Sequence, residues 1–206
     1  MNKKEKKKLK ILAVGDIHGD TGLVKKLAQK AKKENVDLVI LAGDLTHFDM
    51  STKNLIGPFL KAEKDVLIIP GNHESFATID FLTNLYSNAK NIHGYSFKKG
   101  DVGIFGAGGG DIINVTPDNE IFELLKKGHE KIKNSKTKIM VTHMHPQGGK
   151  SEFSGWEGSS AVRKALKDFK PDILINAHIH EAGGIEEKIG KTKVINVSRK
   201  AKIIEI

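Results

Sequence analysis

The chain has no cysteine, which excludes disulfides, thiolate-bound zinc, iron–sulfur clusters and a thiol nucleophile. Any metal site must therefore use nitrogen and oxygen donors, which favours Mn, Fe, Zn, Ni or Mg over soft-ligand sites. No apolar run approaches the roughly 18 residues of a membrane-crossing helix. The apolar stretch after the basic N-terminus, Leu9 to Gly15, is short and contains Lys10, so it reads as a first strand and not as a signal peptide. The expected compartment is the cytoplasm, with no membrane partner. No repeat, low-complexity linker or charge block divides the sequence. Its 206 residues suffice for one well-buried core, so a single domain over residues 1–206 is expected. Oligomeric state is not readable from the sequence.

The net charge is +9, and Lys3, Lys4, Lys6, Lys7, Lys8 and Lys10 crowd the first ten residues. Residues 1–8 read as a basic, flexible arm. Such an arm can touch phosphate backbones. Without interleaved Arg or aromatic residues, a solvated chain end is the simpler reading.

The hydrophobic pattern alternates strand and helix. Lys10–Val14, Asp37–Ala42 and Val66–Ile69 are apolar runs of the kind buried on both faces. Thr21–Lys33 has helical spacing behind an Asp20 or Thr21 cap. Further helices are expected over Ser51–Glu63, interrupted at Gly57-Pro58, and over Ser75–Tyr86, Pro117–Lys133 and Gly158–Phe169. Tyr95–Lys98 and Val102–Gly106 read as a hairpin leading to the glycine-rich loop Gly106–Gly110, and Lys138–Thr142 and Asp172–Ala177 as strands. Gly184–Ile189, Lys193–Val197 and Ala201–Ile206 read as a closing β-meander. This order implies an α/β protein with a largely parallel core sheet and a second, antiparallel one.

Five clusters of metal-ligand residues each follow an apolar run: Asp16-Ile17-His18, Gly43-Asp44, Gly71-Asn72-His73-Glu74, His143-Met144-His145 and His178-Ile179-His180. In open α/β sheets, ligands gather beyond the carboxyl ends of the strands, so the clusters are expected on one rim. Carboxylate and amide oxygens suit hard divalent cations, and imidazole suits first-row transition metals. A mixed set fits two ions roughly 3.5–4 Å apart that generate a hydroxide and clamp a phosphoryl group. The i, i+2 spacing in Asp16-Ile17-His18 and His178-Ile179-His180, if extended, points both side chains of each pair one way.

This motif series resembles the calcineurin-like metallophosphoesterases, over nearly the whole chain from Asp16 to His180. The resemblance implies a four-layer α/β/β/α sandwich with two mixed β-sheets. It implies one metal held by Asp16, His18 and His180, a second by Asn72, His143 and His178, and Asp44 bridging them. His73 would bind no metal, but would stabilise the transition state and protonate the leaving alkoxide. Mn2+ is the favoured ion of the pair. A finer resemblance links Gly158–Arg163, Ala177–Glu181, Gly190–Thr192 and Val194–Asn196 to small archaeal and bacterial phosphoesterases related to cyclic-nucleotide phosphodiesterases.

Two positions depart from the family pattern. Ala177 replaces the usual Gly, which adds only a methyl group unless positive φ is needed. His47 stands where many relatives carry an Asp that orients the motif histidine, leaving Asp49 or Glu74 as candidates for that task. His47, His145 and Arg163 are further candidates for supporting the ligands or meeting substrate, and Trp156 either stacks on a base or pins its loop to the core.

The expected function is hydrolysis of a small phosphorylated substrate, a nucleotide among the candidates, with a diester favoured over a monoester. A nuclease with the same centre, acting on nucleic acid, is the alternative, as is a non-catalytic binding or scaffold protein of this fold.

Overall fold

A computed structural model describes residues 8–110 and 115–206. Lys3, Lys4, Lys6 and Lys7 of the expected basic arm, and residues 111–114 after the glycine-rich loop, lie outside the described residues.

Two sheets form the centre. The first contains β1 (Lys10–Val14), β2 (Leu38–Ala42), β3 (Val66–Ile69), β4 (Ala89–Asn91) and β11 (Lys202–Glu205), in the order β11-β1-β2-β3-β4. The second contains β5 (Ser96–Lys99), β6 (Val102–Ala107), β7 (Thr137–Thr142), β8 (Ile173–Asn176), β9 (Glu186–Ile189) and β10 (Thr192–Asn196), in the order β5-β6-β7-β8-β10-β9. Helices α1 (Thr21–Lys33), α2 (Gly57–Lys61) and α3 (Phe76–Leu85) cover the first sheet, and α4 (Asp118–Ile132) and α5 (Ser160–Phe169) cover the second.

Strand alternation explains the layering. Successive side chains on a strand point to opposite faces. Leu12 and Val14 pack outward with Val24 and Leu27 of α1, whereas Ile11 and Ala13 point inward to the second sheet. The inner layer joins Ile40, Leu67 and Ile69 to Ile104, Val141 and Ile175. On the far side, Met140 and Leu174 meet Leu125, Val162 and Phe169. The result is helix, sheet, sheet, helix. A strand covered on both faces has no polar face to alternate, which is why the core strands read as unbroken apolar runs.

Asp20 caps α1, its Oδ1 accepting the Leu23 N–H at 2.8 Å. Ser75 and Ser159 cap α3 and α5 in the same way.

Three expectations need correction. The helix expected over Ser51–Glu63 shrinks to Gly57–Lys61, because Ser51 and Asn54 lie in the left-handed region and helix can begin only at the Gly-Pro step. The second sheet is not antiparallel: β6, β7, β8 and β10 are mutually parallel, and only the edge strands β5 and β9 run against them. The tail is no meander, since β11 leaves β10 and pairs antiparallel with β1 in the other sheet. Strand β4, three residues without alternation, carries no sequence signal.

A half-buried histidine ties the glycine-rich loop to this frame. His93 Nδ1 accepts the Gly108 N–H at 3.0 Å, which only a neutral ring can do. Burial lowers its pKa to about 4, against a weaker upward pull from Asp80. In the window from pH 6.5 down to 4 the unfolded chain takes up a proton and the folded one does not, so stability falls as pH falls. His93→Gln should flatten this slope, removing about 2 kcal/mol of acid sensitivity in denaturant titrations at the two ends of the window.

Candidate metal centre

Each cluster sits in the turn that follows a parallel strand: Asp16 and His18 after β1, Asp44 after β2, Asn72 and His73 after β3, His143 after β7, His178 and His180 after β8. The backbone is not extended there. Asp16, His18, Asp44 and His178 all have positive φ, at 56°, 47°, 52° and 73°. The shared direction of each i, i+2 pair therefore comes from left-handed turns, not from strand alternation, at a cost on the order of 1 kcal/mol per residue.

The turns fit because glycine lets them touch. A Cβ on Gly71 would stand 2.0 Å from Asp44 Oδ1, and one on Gly43 would stand 2.5 Å from His143 Nδ1. The methyl group of Ala177 is accommodated by its neighbour: a Cβ on Gly15 would lie 2.4 Å from it. Ala177 itself does not have positive φ.

Glu74 clasps two of the turns. Its buried carboxylate accepts the N–H groups of Asp44 at 2.8 Å, Thr46 at 2.8 Å and Gly71 at 2.6 Å. Burial and the Asp44 charge push the Glu74 carboxyl up to about 7, with these amide donors pulling the other way.

The two aspartates share one logic. Asp16 Oδ2 accepts the Ser198 hydroxyl at 2.5 Å and the His178 N–H at 3.1 Å, and Asp44 Oδ1 accepts the His73 N–H at 3.0 Å. Each carboxylate thus commits one oxygen to the scaffold and turns the other to the rim.

Around those oxygens stand two groups of donor atoms. Asp16 Oδ1, His180 Nε2 and His18 Nε2 are 3.4, 3.1 and 3.9 Å apart in turn. On the other side, Asn72 Oδ1 lies 2.9 Å from His143 Nε2 and 3.1 Å from His178 Nδ1. Asp44 Oδ2 stands between the groups, 3.7 Å from His18 Nε2 and 3.5 Å from His143 Nε2. His143 Nδ1 pairs with the Ala42 carbonyl at 2.9 Å, which turns the lone pair of Nε2 toward the rim.

The charges agree with a cation site. Burial pushes the Asp16 carboxyl up, but hydrogen bonding to His180, the His143 charge and the Ser198 hydroxyl together hold it below the usual range. Asp44 is likewise held low, with burial outweighed by His143 and the His73 N–H. Burial lowers His18, against the pull of Asp44 and Asp16. Burial also opposes protonation of His143, yet Asp44, Asp16 and the Ala42 carbonyl raise it to about 10. His180 is raised, chiefly by hydrogen bonding to Asp16. Two ionised carboxylates are thus pressed among imidazoles, and the fully buried Asp16 turns Oδ1 toward the rings of His180 and His18, at 3.4 and 3.9 Å. Such an arrangement suits positive charge, and the oxygen–nitrogen donor set fits divalent first-row ions.

His73 lies at the border of the first group, where its ring nitrogen falls within 4.8 Å of those of His18 and His47. Its Nε2 is 3.9 Å from Asp44 Oδ2, and its buried Nδ1 has no hydrogen-bond partner among the described residues. Neither carboxylate considered for orienting it is found on its ring: Asp49 accepts the Ser75 N–H, and Glu74 takes the amides named above. Ring packing holds it instead. Phe48 stacks on it at 4.4 Å between centroids and 22°, and His18 meets it edge-on at 4.7 Å.

Of the remaining candidates, His47 is exposed with its ring 5.3 Å from that of His73, and His145 is buried alongside His178 at 6.3 Å. Arg163 is not brought to the rim; it lines a separate cleft with Lys167 and Lys191. Glu74 lies inside the Gly71–Glu74 motif, where the sequence suggests only a role in orienting His73 and not the clasp. Ser198 and Phe48 had no signal beyond lying next to a strand and a motif.

The sequence matches the calcineurin-like phosphoesterase family over residues 9–182. The chain belongs to that family. Calcineurin-like phosphoesterases usually carry a dinuclear divalent metal centre, and the Asp/His groups described here fit one. No curated protein matches the sequence. Among solved structures, TT1561 of Thermus thermophilus is 18% identical with a TM-score of 0.77, covering 93% of this chain and 89% of its own. A novel archaeal phosphodiesterase is 18% identical with a TM-score of 0.57, covering 96% and 98%. A dimetal phosphatase from Danio rerio is 12% identical with a TM-score of 0.63, covering 92% and 87%. At such identity these structures show the shared fold. Among the described residues no helix is long and apolar enough to cross a membrane.

Glu74→Ala would remove the carboxylate that accepts three buried N–H groups. It should cost about 3 kcal/mol or more in urea unfolding. Glu123→Ala, which removes one arm of an exposed pair with Lys126, should stay within about 0.5 kcal/mol. Equal effects from the two variants would show that Glu74 is no clasp.

Proposed function

We propose that this calcineurin-like phosphoesterase hydrolyses a small phosphodiester with two divalent ions, Mn2+ favoured, as one domain working in the cytoplasm. The observation that carries this reading is the division of the rim: two groups of donors share Asp44 Oδ2, and one imidazole, His73, is left beside it. Asp16, His18 and His180 would hold one ion, Asn72, His143 and His178 the other, and Asp44 both. The ions supply activation of water and neutralisation of phosphoryl charge in an in-line displacement.

The chain's own residues do the rest. Asp16 and Asp44 stay ionised, because hydrogen bonds and imidazole charge hold them low. As the new phosphorus–oxygen bond forms and the ester bond breaks, His73 gives a proton to the departing oxygen. Burial lowers the His73 pKa in the free protein, against the pull of Asp44. The negative charge of a bound diester raises it again. A diester expels a poor alkoxide, so a positioned acid matters more than it does for an activated ester. Phe48 keeps that ring aimed into the cleft.

Leaving groups test this division. Asp44→Asn should abolish turnover of bis-p-nitrophenyl phosphate and reduce the Mn2+ stoichiometry seen by calorimetry. His73→Ala should slow a diester with a poor leaving group by about 10²-fold or more, and the nitrophenyl ester far less. Phe48→Leu should follow His73→Ala at roughly a tenth of its effect on the poor leaving group. If His73→Ala slows all leaving groups alike, His73 is not the acid.

A further inference from the structure

Trp156 is the only tryptophan in the chain, and it is 55% exposed. A tryptophan that pinned its loop to the core would be buried, so this role is excluded. The backbone is fixed while the ring is not. The Trp156 N–H donates to Ser154 Oγ at 3.4 Å, and its carbonyl pairs with Nε2 of the buried His145 at 3.3 Å. Its loop is tied down as well. Glu152 Oε1 accepts the N–H groups of Gly148 and Gly158, each at 2.9 Å, and the Lys150 N–H donates to Glu187 at 2.8 Å. A large aromatic face is thus presented to solvent from a rigid support.

Trp156 lines the cleft above the rim, together with Asp44, Asn72, His73 and His180. The cleft measures about 210 Å³. Whole ligands of drug size occupy roughly 300–1,000 Å³, so the cleft suits a phosphoryl group with the rest of the molecule lying over its lip. None of the described residues lining it is Lys or Arg. Phosphate backbones and polyphosphates are gripped by such cations. Among the described lining residues the wall therefore offers an aromatic surface and the Glu181 carboxylate as an acceptor for a hydroxyl or amine, while the nearest cation to act on the rim, Arg199 beside His180, is not part of the lining.

We propose that Trp156 is a stacking platform for the base of a nucleoside phosphate ester whose single phosphate lies on the rim. This rests on the phosphoesterase reading of the rim and adds the class of substrate: a mononucleotide ester, not polymeric nucleic acid. Stacking on an aromatic ring tolerates any base, because every base has a π-face.

With one tryptophan in the chain, emission excited at the red edge of indole absorption reports Trp156 alone. In the presence of Mg2+, AMP should quench it saturably. Ribose 5-phosphate should compete with AMP and leave the emission unchanged. By calorimetry, Trp156→Ala should weaken AMP about tenfold or more and leave ribose 5-phosphate unaltered, while Trp156→Phe restores most of the loss. Unchanged ribose 5-phosphate binding also shows that the variant is folded. The proposal is overturned if AMP does not bind, if Trp156→Ala binds AMP as the parent does, or if a short oligonucleotide binds more tightly than AMP with a steep salt dependence. An unaltered AMP affinity in Trp156→Ala, with hydrolysis still dependent on Asp44, removes the stacking platform alone. Hydrolysis indifferent to Asp44→Asn removes the phosphoesterase reading instead.

Discussion

The rim depends on one buried carboxylate that touches no substrate. Glu74 gathers the amides of Asp44, Thr46 and Gly71, and so holds the turn after β2 against the turn after β3. Without that clasp, only the His73 N–H would hold the Asp44 carboxylate, the common point of both donor groups. The constraint is electrostatic. Buried amide hydrogens must find an acceptor, and the left-handed turns that aim Asp16, His18, Asp44 and His178 cannot supply one from regular secondary structure.

The two sheets provide what the turns push against. Between them lies a layer of buried apolar side chains, including Ile11, Ile40, Ile69, Ile104 and Ile175. Strand ends anchored in such a layer move little. Polar residues can then be crowded at the edge, where Asp16 bonds across the sheets to His178 and Ser198. Strain and unpaired donors concentrate at this edge, and the apolar layers bear the cost.

Much of this was legible in the linear chain. Nine of the eleven strands were marked within a residue, the central ones as apolar runs, because strands buried on both faces leave no polar alternation. Five ligand clusters after such runs implied a common rim, because parallel strands place their carboxyl ends on one side. Other features were not legible. The pairing of β11 with β1 depends on which sheet has an open edge, and the loss of helix over residues 51–56 depends on turns packed beside the rim. The means of orienting His73 was not legible for a similar reason. The sequence offers Asp49 or Glu74 as candidates and leaves the matter open, whereas Phe48 and His18 pack on the ring, and packing partners leave no spacing rule to follow.

Residue type and order therefore settle the chemistry available here: a cysteine-free set of Asp, Asn and His donors after buried strands, within a fold made by alternation. Direction is settled only once the chain is folded. Which oxygen of Asp16 and of Asp44 faces the cluster, which nitrogen of His143 is occupied by Ala42, and that Trp156 is held by its backbone with its ring bare, all follow from contacts between distant segments. Local sequence selects a side chain and its turn. The partners that fix its last rotation arrive from other segments, for Asp16 and His143 from the opposite sheet.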